Sequence, residues 1–293
     1  MDLTRYGLWT VALDLQPAPE ARRAAAEIEA MGWGAIWIPE AVNREVMSNS
    51  MLLLGATEKL VVATGIANLH ARTAMAMGAG HKTVTAAHPD RFLLGIGVSH
   101  QVAVEGFYGQ KYDKPLTTMR AYLEAMDNGL FFAAPPSVEP TRVLAALGPK
   151  MLELARDKAS GAHPYFVPVD HTPVARGILG AGKLLCPEQA VVLEADPATA
   201  RGVARAHMRT YLGLPNYTNN LKRFGWTDAD IADGGSDALV DAIVAWGSVD
   251  DVTKRIAAHH DAGADHVAIQ VLTADPRALP MDDWRTLASA LGL

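Results

Sequence analysis

The chain has a single cysteine, Cys186, among its 293 residues. A lone thiol excludes an intrachain disulfide and suits a reducing compartment. Aromatic side chains are few, at 6%. No apolar run approaches the roughly 20 residues needed to cross a bilayer. Met1–Leu8 has no basic stretch leading into an apolar one, so no secretory leader is expected. Charge of one sign is also lacking. The 26 Lys and Arg are offset by 32 Asp and Glu, mixed along the chain, for a net charge of −6. A phosphate-binding surface needs clustered bases, so neither nucleic acid nor a membrane is an expected partner. These absences predict a cytoplasmic protein. What the chain does have is apolar content, 49% of its residues, enough for a large core and against disorder.

The apolar residues come in a beat. Short runs rich in Val, Ile and Leu, each followed by a longer Ala-rich stretch with helical spacing, occur at Tyr6–Leu13, Ala35–Pro39, Leu60–Asn68, Phe92–Ser99, Arg142–Leu147, Ala162–Val167, Gln189–Glu194 and His266–Leu272. Strand then helix, eight times over, predicts an α/β fold: a closed parallel (β/α)8 TIM barrel, with its chemistry at the C-terminal strand ends. Gly65 interrupts the third run, which suggests a bulge. Gln101–Pro115 reads as a long polar loop. Asp196-Pro197 is an N-cap followed by proline at the first helical position. The beat breaks at Leu214–Gly235, a polar stretch containing Asn216, Asn220 and Arg223. We expect one domain over 1–293, with a helical insertion at 214–247 late in the chain. Asp237–Trp246 and Val249–Ala262 read as further helices.

The strand ends hold the candidate chemistry. Strands 3, 4 and 5 close on Thr64-Gly65-Ile66-Ala67-Asn68, Gly95-Ile96-Gly97-Val98-Ser99 and Leu147-Gly148-Pro149-Lys150. Small residues and glycines on three adjacent strands leave room for a flat ligand against backbone, although turns closing a tight barrel would use the same residues. Gly148 allows the turn and Pro149 fits a first helical turn. The amides that follow, with Lys150, form a plausible phosphate seat, and ordinary helix initiation would look alike. Glu40 ends strand 2, where a carboxylate can accept hydrogen bonds from a cofactor, act as a base, or simply partner a helix start. Ten histidines invite a metal, yet none forms the H-x-x-x-H or H-x-H spacing of metal hydrolases, so no metal site is expected. His259 and His260 read as a helix-end or solvent-exposed pair. Gln189, polar within an apolar strand, suggests a buried network.

The segments Tyr6-Gly7-Leu8-Trp9, Gly32-Trp33-Gly34-Ala35-Ile36-Trp37-Ile38-Pro39-Glu40, Ala63-Thr64-Gly65-Ile66 and Arg91-Phe92-Leu93-Leu94-Gly95-Ile96-Gly97 together resemble the bacterial luciferase-like superfamily. Within it the chain is similar to actinobacterial deazaflavin-dependent oxidoreductases. Leu147–Ala155, Gly161–Tyr165, Pro187–Val191 and Leu214–Tyr217 support the likeness. The resemblance implies a reduced flavin or deazaflavin lying across the strand ends, with a non-prolyl cis peptide at Gly65–Ile66 behind its ring. It further implies that Asn68 bonds the ring or its tail and that Glu40 lies at the pyrimidine edge. Gly97, Val98 and Ser99 then match the strand 4 end, Leu147, Gly148, Pro149 and Lys150 the phosphate loop, and His163 the cofactor site. Sugar-phosphate dehydrogenases of this group follow the strand 2 acid with a catalytic histidine. Here that position is Ala41, so a proton donor must come from elsewhere, with His70, His100 and Tyr108 as candidates.

The expected function is therefore a coenzyme F420-dependent oxidoreductase that exchanges hydride between the deazaflavin C5 and a small organic substrate. The rival readings are an FMN-dependent monooxygenase on the same scaffold, a binding protein for flavin or deazaflavin without turnover, and a metal hydrolase barrel. Helices 2 and 3, rich in Ala, Gly and Met, are expected to pair two copies into a homodimer.

Overall fold

The computed structural model describes residues 1 and 3–293. Its strands are β1 (Tyr6–Trp9), β2 (Ala35–Ile38), β3 (Val61–Thr64), β4 (Ala67–Asn68), β5 (Phe92–Gly97), β6 (Thr141–Leu144), β7 (Gly161–Ala162), β8 (Leu184–Leu185), β9 (Glu188–Val192), β10 (Val244–Trp246) and β11 (Val267–Val271). They form one parallel sheet in the order β10-β9-β11-β1-β2-β3-β5-β6-β7-β8, with β4 paired to β5. β8 and β9 are two halves of one segment, split at Cys186-Pro187. The first half pairs with β7 and the second with β11. The Cys186 amide donates to Ala162 O and the Ala268 amide to Pro187 O, so the curled sheet closes through this segment. Helices flank it, and the chain is the expected TIM barrel.

Alternation along the strands explains the layers. Leu8, Ile36, Val62 and Leu94 point outward into the main core beneath the helices. Trp9, Trp37, Ala63, Leu93, Val143 and Ala268 point inward and fill the barrel, with two indoles set against small neighbours. A further core gathers Phe166, Met208, Tyr217 and Leu239 under the late helices.

The sequence overstated several runs. β1 stops at Trp9, and Ala12–Leu15 is a 3-10 turn, because a short apolar run alone cannot distinguish strand from helix. The sixth run, read as Ala162–Val167, is only Gly161–Ala162. Within the stretch read as loop, Gln101–Gly106 is helical. Asp237–Trp246 is helix only to Ile243; its last three residues are β10, paired with Ala190–Val192. The bulge in the third run is present: β3 and β4 are separated by Gly65–Ile66, and that peptide is cis. The Asp196 cap also holds, its side chain accepting from the Thr199 amide at 2.9 Å.

Candidate active site

The break between β3 and β4 is the centre of the candidate site. The Trp9 indole, at the end of β1, donates to Gly65 O at 3.1 Å. A Cβ on Gly65 would lie 2.6 Å from Trp9 Nε1 and 3.0 Å from His163 Nε2, so only glycine fits. His163 stacks on Trp37 at 4.2 Å and donates from Nδ1 to Cys186 O at 2.6 Å. Since a carbonyl only accepts, Nε2 carries a bare lone pair. That atom is buried and has no partner. Burial lowers the His163 pKa to about 4, so the ring is neutral at pH 7.

Glu40, at the end of β2, has a 5% exposed side chain and is committed. Its Oε2 accepts from the Asn68 amide at 2.8 Å and from Arg72 Nη1 at 2.9 Å, while Oε1 accepts from Arg72 Nη2. This fork fixes the backbone of β4. It makes Glu40 a positioning group, with little capacity left to act as a base. Asn68 is fully buried; its Oδ1 accepts from the His70 amide at 2.9 Å, and its Nδ2 has no partner.

The other proton-donor candidates are scattered. His70 Nδ1 meets Gln110 Oε1 at 3.1 Å, and the Tyr108 hydroxyl donates to Ala41 O at 2.7 Å. Tyr108 also borders a hollow of about 480 Å³, together with Ala41, Arg44, Glu45 and Arg72, on the rim of the barrel. His100 lies apart from these, its ring 5.4 Å from Tyr217 and its Nδ1 unpartnered. Burial lowers its pKa.

Gly65, Ile66, Val98, Ser99, Leu147 and Gly148, at the ends of three strands, are all partly exposed. Gly97 is buried beneath the Ile66 side chain. Gly148 caps the helix Pro149–Lys158, as the sequence suggested, and Lys150 is exposed. The Arg223 guanidinium sits 2.8 Å from where a Gly148 Cβ would be. A glycine here lets a cation lie against the helix start.

Tyr165 packs 5.2 Å from Trp9, with Tyr211 and Tyr217 packed on it. The Tyr165 hydroxyl lies 2.8 Å from both Tyr211 Oη and Gln270 Oε1. Glu188 is buried on β9. Sequence reasoning missed Arg72, Arg223, Glu188 and the tyrosines as site groups. Only Glu188 left a local signal, as a carboxylate inside an apolar barrel strand. The buried network expected at Gln189 exists: its Oε1 meets His259 Nε2 at 3.0 Å and its Nε2 donates to Ile243 O at 2.9 Å. His259 does lie in the last turn of the helix Val249–Asp261, but it is fully buried and also bonds Thr172 at 2.8 Å, which corrects its reading as a capping or exposed group. Among the described residues, no three His, Cys, Asp or Glu side chains gather as a metal site, and no helix is long and apolar enough to cross a membrane.

A family model described as luciferase-like monooxygenase matches residues 2–266. A Mycobacterium tuberculosis protein named as a candidate coenzyme F420-dependent oxidoreductase is 24% identical, over 88% of this chain and 92% of that one. An F420-dependent secondary alcohol dehydrogenase, solved with an F420-acetone adduct, superposes with a TM-score of 0.79 at 12% identity, covering 99% of both chains. The FMN-bound oxygenating component of 3,6-diketocamphane monooxygenase from Pseudomonas putida gives 0.66 at 15%, covering 97% of this chain and 96% of that one.

Proposed function

Since this chain belongs to the luciferase-like monooxygenase family, we propose that it is an oxidoreductase whose cofactor is coenzyme F420. The observation that carries this reading is the partly exposed Gly65–Ile66 step, with two unsatisfied buried groups beside it, His163 Nε2 and Asn68 Nδ2. Buried polar groups are rarely left unpaired, and each such group invites a ligand partner. The residues present fit a flat heterocycle with an anionic tail. Asn68 offers a donor and neutral His163 an acceptor, while the glycine at 148, the helix start and Arg223 make a seat for phosphate.

When bound, the deazaflavin would supply hydride from its C5 to a small organic substrate. The protein's part is positioning. Glu40 and Arg72 hold β4, Trp9 holds Gly65 O, and Gly97, Val98 and Ser99 form the adjoining wall. Leu147, Gly148, Pro149 and Lys150 receive the tail. Tyr165, packed 5.2 Å from Trp9, would help exclude water from the reacting face. Ala41 replaces the histidine of the sugar-phosphate enzymes, which argues for a different substrate class. We further propose a cytoplasmic homodimer joined through Val46–Leu54 and Ala74–Ala87, where Met51 and Met75 are exposed at 38% and 60%.

Reduced F420 offered with a panel of ketones, enones, imines and quinones tests the reading. Oxidation of F420 dependent on one substrate class supports it. Binding without turnover of any substrate leaves a carrier protein, and oxygen-dependent turnover with reduced FMN supports a monooxygenase.

A further inference from the structure

Resting on the hydride-transfer reading above, we propose that Gln270 holds the reacting oxygen of the substrate through an N–H of its Nε2, so that the substrate is a carbonyl compound and not a cationic imine. Gln270 is none of the groups assigned to the cofactor.

Strand register puts Gln270 at the barrel mouth. Along β11, Val267 and Ile269 face the core beneath the helices, and Ala268 lines the barrel interior. The alternation returns Gln270 to the barrel side, next to the C-terminal end of the strand. Leu8 pairs with Ile269, so Trp9, the last residue of β1, stands beside Gln270. The Trp9 indole in turn donates to Gly65 O at 3.1 Å. Trp9 therefore lies between Gln270 and the β3–β4 break, joined to one by strand pairing and to the other by a hydrogen bond. Tyr165 closes the group from a third side, with its ring 5.2 Å from Trp9 and its hydroxyl 2.8 Å from Gln270 Oε1.

The amide is held at one end and free at the other. An amide oxygen only accepts, so Tyr165 donates to Oε1 and receives from Tyr211, 2.8 Å away. Burial raises both phenols, Tyr211 to about 12, so the two hydroxyls keep their protons at neutral pH. Anchoring Tyr165 uses the amide oxygen alone. Among the described residues Nε2 donates to no protein atom, and unlike Asn68 Nδ2 it is not sealed in: Gln270 keeps 8% of its surface. The fold thus spends three side chains on orienting an amide whose donor end it does not itself use.

That donor suits a carbonyl oxygen. In the reduction the carbonyl carbon gains a C–H bond and two electrons from the reduced deazaflavin, the C=O π pair moves onto oxygen, and the oxygen takes its proton from water. Negative charge grows on oxygen in the transition state, where a fixed N–H stabilises it more than in the ground state. Tyr211 donating to Tyr165, and Tyr165 to the amide oxygen, polarises the N–H in the same sense. A protonated imine brings its own N–H and a positive charge, and meets a donor where it needs an acceptor.

Nuclear magnetic resonance of the cofactor-free, nitrogen-15 protein reads the donor itself. The Gln270 side-chain NH2 pair, assigned by its absence from Gln270→Leu, should move on titration with cyclohexanone and stay in place with cyclohexane, which lacks the oxygen. With reduced F420, Gln270→Leu should lose about 100-fold in kcat for ketones, the scale of one lost oxyanion donor, with an unchanged KM for F420. Gln270→Glu should lower the ratio of ketone to imine turnover, because a carboxylate accepts from an iminium and repels an alkoxide. A merely structural role would move all substrates and the KM together. If Gln270→Leu does not fold, Tyr165→Phe, which frees Oε1, assigns the NH2 pair by shifting it and should lower kcat for ketones with the KM for F420 unchanged. An NH2 pair that ignores cyclohexanone, wild-type ketone kcat in the variants, or a wild type that reduces imines and no ketone overturns the proposal. Failure of the wild type to bind F420 overturns the cofactor reading instead, and the resonance arm, which needs no cofactor, still decides the role of Gln270.

Discussion

The Glu40–Arg72 pair shows how a residue's role is set by what it touches. Sequence position made Glu40 visible, because an acid closing a barrel strand lies at the active face. Its partner was not visible. Arg72 lies 32 residues further on, and nothing in its local pattern aims it at the end of β2. Replacing Glu40 by Ala leaves an Arg72 side chain only 11% exposed without its counter-charge. We expect a loss of about 3 kcal/mol in urea unfolding, with part of it recovered in the Glu40→Ala, Arg72→Ala double variant. Arg223 behaves differently because it is exposed and ends on a helix start. Arg223→Ala should leave stability within about 0.5 kcal/mol. It should weaken F420 at least about tenfold, the scale of one lost charge-assisted contact, while a deazaflavin without the phosphate tail binds as before. Equal weakening of both ligands would remove Arg223 from the tail seat.

Among elements, the broken third strand matters most. It was legible because Gly65 stands inside a run rich in β-branched residues, Val61, Val62, Thr64 and Ile66. Its purpose was not, because Trp9 and His163 approach it from other parts of the barrel. Gly65→Ala drives a Cβ to 2.6 Å from Trp9 Nε1. We expect a cost of about 1–3 kcal/mol in thermal or urea unfolding, with cofactor binding lost before the fold is. Helix starts marked by Asp196 and Pro149 were read well, because caps are local chemistry. The strand β10 was missed because Val244-Ala245-Trp246 directly continues a helix, and only its pairing with β9 makes it a strand. Ala12 and Leu13, the start of the turn Ala12–Leu15, were read as strand because short apolar runs carry no period.

At the scale of the whole molecule, eight apolar runs were enough to announce a barrel, whereas its mouth was not legible. Tyr165, Glu188, Tyr211 and Gln270 come from four distant segments that only the closed sheet brings together. The barrel also buries histidines that shape its response to acid. Burial lowers His81, His259 and His266 to about 3, and His163 and His207 to about 4, from an ordinary 6.5. A lowered folded value means the unfolded chain takes up protons that the native chain refuses. Stability is therefore whole above pH 6.5 and falls below it, each such histidine costing about 1.4 kcal/mol per pH unit. Glu188 has the opposite sense. Its folded value is raised from 4.5 to about 8, so its contribution is full below 4.5 and gone by about 8. Calorimetric Tm should peak near pH 6.5 and drop steeply on the acid side, and Glu188→Gln should flatten only the alkaline slope. A Tm that stays level from pH 6.5 to 5 would contradict this.

A deazaflavin seated over Gly65–Ile66 is tested most directly by calorimetric titration of the purified protein with F420 and, separately, with FMN. Saturable F420 binding at one site per chain, abolished by Gly65→Ala and weakened by Arg223→Ala, is the predicted result. Tight FMN binding with no heat from F420 would contradict it.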